Sequence, residues 1–100
     1  MKHVTVDIRI DDLPPFDLGE IHISPGAVAA FTESAEHPVA YLLRHGQGDW
    51  GLISDGQRWH NLVALANGGR ILSAYALQSG KIIGIVTEAD RKATALLMAE

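Results

Sequence analysis

The side chains able to move a proton near neutral pH are five histidines, His3, His22, His37, His45 and His60. Phosphodiester cleavage without a metal needs a general base, a general acid and a cation to neutralise the phosphorane. His45 or Glu88 could act as base or acid, and Arg70 or Arg91 could supply the cation. Ser73, Tyr75, Thr87 and Thr94 could add hydrogen bonds. The histidines make no metal motif. None forms an i, i+4 pair on a helix or stands beside a carboxylate at a ligand spacing, so no metal is expected.

A second candidate is the loop Gly46-Gln47-Gly48-Asp49-Trp50-Gly51, where three glycines in six residues demand unusual backbone angles. Its amides could bind a phosphate or substrate. The glycine spacing matches neither a Walker loop nor a dinucleotide fingerprint. The plainer alternative is a structural turn that buries Trp50 while Asp49 caps nearby amides. Tyr75, Asp49, Trp50 and Arg91 are thus the candidate binding residues. For Tyr75 the competing role is packing at the core edge, and for Arg91 an ion pair with Glu88 or Asp90. Glu88 and Asp90 in Thr87-Glu88-Ala89-Asp90-Arg91 could do acid–base work, or could be the polar end of a hairpin. No nucleophile elbow or Ser-His-Asp context is present.

The elements that must position these residues follow from periodicity. Val4, Val6, Ile8 and Ile10 alternate with Thr5, Asp7 and Arg9, which predicts a half-buried strand over Val4–Ile10. Pro14-Pro15 interrupts the chain, and Glu20–Ile23 is a short second strand. Ser24-Pro25 starts a helix that runs to about Ser34. Pro38 to His45 makes a second helix, with Gly46 as its left-handed cap. Ser54 with Gln57 is a capping box for a third, which points Trp59, Leu62, Val63, Leu65 and Ala66 at a core and stops at Asn67-Gly68-Gly69. Arg70–Leu77 and Lys81–Thr87 are strands joined by a hairpin turn, and the second is apolar enough to lie centrally. Arg91–Met98 is a third strand, with a helix as its competitor. The expected architecture is α+β in one domain, 1–100: N-terminal strand or strands, three helices, then a three-stranded antiparallel meander in one sheet.

Composition narrows the function classes. The chain has 100 residues, 47% hydrophobic and 20% charged, with no cysteine. Disulfides and thiolate metal sites are therefore ruled out, and no apolar run approaches a membrane span. A cytoplasmic protein is expected. The net charge of −4 disfavours nucleic acid as a partner.

Several segments resemble a known group. His45 to Gly51, Gly69-Arg70-Ile71-Leu72-Ser73-Ala74-Tyr75 and Thr87-Glu88-Ala89-Asp90-Arg91 are similar to small uncharacterised bacterial proteins carried on plasmids and integrated elements, as are Gly19 and Ser24-Pro25-Gly26-Ala27. The chain departs from that pattern at Gly84, where an aromatic residue is usual, and at Met98-Ala99, in place of a Leu-Pro ending. Some members are labelled modification subunits of type I restriction systems. A methyltransferase needs a doubly wound domain with a glycine-rich cofactor loop, which this chain lacks. The resemblance implies a mobile-element setting. With small size, acidic balance and no cofactor motif, it leads us to expect an interaction or modulator protein, acting on another protein such as a host defence component. Catalysis is not the favoured mode. The alternative, from a helix followed by a meander, resembles metal-independent ribonucleases or toxins of the barnase and RelE kind. A homodimer whose pairing completes the core is a further reading.

Overall fold

The computed structural model describes residues 16–99. The strand expected over Val4–Ile10 lies outside them. The elements are β1 (Glu20–Ile23), α1 (Pro25–Ser34), α2 (Pro38–Gly46), α3 (Asp55–Asn67), β2 (Ile71–Ala76), β3 (Ile82–Thr87) and β4 (Ala93–Met98). The fold is α+β.

Side-chain caps set each helix start. Ser24 Oγ accepts from the Ala27 amide at 3.1 Å, and His37 Nδ1 accepts from the Val39 amide at 3.1 Å. Ser54 Oγ accepts from the Gln57 amide at 3.0 Å. Each of these groups satisfies an orphan N–H of a first turn. Gly46 is not the left-handed cap of α2. It stays inside the helix, and the left-handed position moves to Gly48, at φ 89°.

The sheet has four strands in the order β1-β4-β3-β2. Strands β2, β3 and β4 pair antiparallel, and β1 joins β4 in parallel, with Glu20 opposite Ala93 and Ile23 opposite Leu96. The sheet is therefore mixed, which corrects the purely antiparallel expectation. It also moves Arg91–Met98 away from the edge, where a docking role had been considered. A parallel partner on the far side of three helices leaves no mark in local periodicity. Residues 93–98 form a strand despite their Ala and Leu content, because ladder pairing and burial of Thr94 and Leu96 override helix propensity.

One face of the sheet carries the core. Ala27, Ala30 and Phe31 of α1 pack with Tyr75, Leu77, Ile83, Ile85 and Leu96. Trp50, Ala64 and Ile71 form a second cluster beside α3. The buried phase of α3 differs from the expected one: Asn61 and Ala64 point inward, and Trp59 is 68% exposed. The cause is the edge of β2. Asn61 Nδ2 donates to Leu72 O at 2.8 Å, and its Oδ1 accepts from Leu72 N at 3.2 Å, so one side chain replaces a missing strand neighbour. Gln57 Nε2 donates to the same Oδ1 at 3.0 Å instead of closing a capping box. Further along that edge, Leu52 N donates to Ala74 O at 2.6 Å and Ala74 N to Trp50 O at 3.1 Å.

Candidate functional site

A chain of polar side chains crosses the core. His45, Thr87 and Thr94 are fully buried, and Ser73 nearly so. The last turn of α2 presents His45 to the sheet, where alternation puts Ser73, Thr87 and Thr94 on the helix-covered face. His45 Nδ1 bonds Ser73 Oγ, and Nε2 lies 2.8 Å from Thr87 Oγ1. Thr87 Oγ1 is 2.7 Å from Thr94 Oγ1, which donates to Leu18 O at 2.6 Å.

The final carbonyl can only accept, and that fixes every proton upstream. Thr94 donates to Leu18, so Thr87 donates to Thr94. His45 then donates from Nε2 to Thr87, and Nδ1 accepts from Ser73. The imidazole is neutral, carries its hydrogen on Nε2, and is satisfied at both nitrogens. Burial pushes its pKa down to about 4. Phe16 stacks edge-on against it at 5.3 Å. A serine bonded to a histidine has the outline of a nucleophile and base. Here no carboxylate orients the ring, and both side chains are closed off from solvent.

Arg70 and Glu88 form an ion pair with each other, Nε to Oε1 3.3 Å, on the surface. The structure thus unites two of the three catalytic candidates and leaves His45 apart from them, inside the core. Alternation along β2 and β3 placed Ser73 and Thr87 correctly on one face. It carried no information about which side of α2 would be covered.

The binding candidates are absorbed into the scaffold. Trp50 is buried, and its Nε1 donates to His45 O at 3.2 Å. Tyr75 is buried, its hydroxyl donates to Asp49 O at 2.7 Å, and burial pushes the phenol up to about 12. Asp49 takes both ends of the Arg44 fork, at 2.6 and 3.3 Å, while that guanidinium lies 4.7 Å above the Tyr75 ring. The Gly48 and Asp49 amides donate back to the carbonyls of His45 and Arg44, so they do not face an anion. Gly51, at φ 70°, sits where a Cβ would strike Ala74 O and the Tyr75 ring. Arg91 makes no side-chain ion pair at its turn. Its guanidinium donates to the carbonyls of Gly69 at 2.6 Å, Glu88 at 3.0 Å, Ala89 at 3.3 Å and Ala64 at 3.1 Å. Among the other described histidines, His37 caps α2, His22 meets Glu20 at 2.8 Å and His60 is exposed.

The other face of the sheet has a different character. Leu72, Ala74, Gly84, Val86, Ala95 and Leu97 lie on it, and none is fully buried; Leu97 is 44% exposed. A groove of about 330 Å³ runs over this face, bounded by Ile53, Ser54 and Gln57 at the start of α3. No charged side chain lines it. Gly84 and Ala74 are register partners and leave a hollow beside the projecting Leu97. The sequence held one signal for this surface: Ile82–Thr87 is apolar on both faces.

Compared with known proteins, the chain matches no family model, no curated protein and no solved structure. Among the described residues, no helix is long and apolar enough to cross a membrane, and no group of three or more His, Asp or Glu is placed to hold a metal.

Proposed function

We propose that the chain is a small interaction protein, a modulator that docks onto another protein through the uncharged sheet face. The observation that carries this reading is the groove over Gly84, Ala74 and Leu97. Apolar surface without charged guards is typical of protein-binding patches. The hollow at Gly84 and Ala74 suits a partner that presents a projecting aliphatic or aromatic side chain, the usual anchor of such contacts. The mobile-element setting implied by the resemblance directs the search toward host defence components. The ribonuclease alternative draws less support, because His45 is sealed in the core while Arg70 and Glu88 neutralise each other at the surface.

Affinity capture from the host with wild type, Leu97→Glu and Trp59→Ala tests the docking face. A stoichiometric partner should be held by wild type and Trp59→Ala and lost with Leu97→Glu. No stoichiometric partner, or one retained by folded Leu97→Glu, would count against the reading.

A further inference from the structure

We propose that residues Val4–Ile10 form a fifth strand, antiparallel to β1 on the side away from β4, within the same chain. This inference is independent of the docking face.

β1 is an edge of the sheet formed by residues 16–99. The amides of Glu20 and Ser24 point at β4, donating to Lys92 O at 2.9 Å and Leu96 O at 3.0 Å. Strand alternation therefore turns the amides and carbonyls of Ile21 and Ile23 outward. Beside this edge lies uncovered apolar surface. Ile21 is 39% exposed and Val28 of α1 is 50% exposed. A groove of about 340 Å³ at the Ile23 end is lined by Ile23, Val28, Phe31 and Ala35. An added strand would need an apolar side for this groove and a polar side for Glu20 and His22, which share the opposite face. Val4–Ile10 has that two-sidedness.

Charge then selects one register. Antiparallel pairing that keeps apolar residues on the α1 side must set Val4, Val6, Ile8 and Ile10 against odd-numbered β1 positions. Placing Ile8 opposite Ile21 and Val6 opposite Ile23 sets Arg9 across from Glu20 and Asp7 across from His22, so both polar pairs are complementary. Sliding the strand by two residues one way brings Asp7 against Glu20. Sliding it the other way brings Arg9 against His22 and Asp11 against Glu20. The favoured register puts Ile10 opposite Gly19 and leaves residues 11–18 as the connection. That connection returns at the correct end of the sheet, where Leu18 O accepts from Thr94 and Phe16 packs on His45.

The absence of cysteine allows a direct test. In the full chain, Ile8→Cys/Ile21→Cys should close an intramolecular disulfide under mild oxidation, with Val6→Cys/Ile21→Cys about tenfold slower because its sulfurs are out of register. Equal rates would overturn the proposal. A disulfide-linked dimer would also overturn it, by assigning the strand to a second copy. Hydrogen exchange on unmodified protein gives a readout that needs no variant. The amides of Ile21 and Ile23 should be protected by about 100-fold or more, and exchange at the rate of an open edge would overturn the assignment. Neither measurement involves Leu97 or Gly84, so failure here leaves the docking proposal standing, and the reverse.

Discussion

His45 donates from Nε2 to the hydroxyl of Thr87 at 2.8 Å, and that one bond joins the end of α2 to the centre of the sheet. Through Thr94 the connection reaches Leu18, ahead of β1. No buried side-chain nitrogen or oxygen among the described residues lacks a partner. A polar core chain of this kind is sound when complete and costly when broken.

Acid should therefore weaken the fold through His45. Its pKa falls from the ordinary 6.5 to about 4 in the folded protein. The unfolded chain binds a proton between those values and the folded chain does not, so stability rises with pH across that window. The contribution is fully present above pH 6.5 and is lost progressively down to about pH 4. The full shift corresponds to about 3 kcal/mol. Urea unfolding at pH 7 and pH 4.5 checks this, with His45→Gln as the variant whose slope should flatten. An equal slope in both proteins would assign the acid sensitivity elsewhere.

Thr87→Val keeps the shape and removes the middle of the chain. It leaves the His45 Nε2–H without an acceptor and Thr94 Oγ1 without its donor. The expected loss is about 2–3 kcal/mol in urea unfolding at pH 7. A loss below about 0.5 kcal/mol would mean that the buried groups repair themselves cheaply.

Arg91 and Glu88 lie near each other in sequence and should behave oppositely. Arg91→Ala frees four backbone carbonyls, including Ala64 in α3, and should cost about 2 kcal/mol. Glu88→Ala removes one half of an exposed pair with Arg70 and should cost less than about 0.5 kcal/mol. Thermal unfolding of the two variants side by side settles the order. Equal effects would contradict the bracing role of the Arg91 guanidinium.

The amino-acid sequence by itself determined the elements. Ser24-Pro25, Pro38 and Ser54 start helices because side-chain oxygens and prolines act within a turn or two. Alternation along Ile71–Ala76 and Ile82–Thr87 made strands and put Ser73 and Thr87 on one face. These are effects between near neighbours, so they survive without a structure. The tertiary structure decided what each element faces. Trp59 looked like a core residue and is exposed, because Asn61 claims the inner side of α3 to pair with the β2 edge. Glu20–Ile23 lies parallel to Ala93–Met98, a pairing that depends on how three helices pack between them in the chain. His45, Arg70 and Glu88 have residue types suited to one site. Burial separates them, since an imidazole hydrogen-bonded inside the core cannot also meet an ion pair that stays in water.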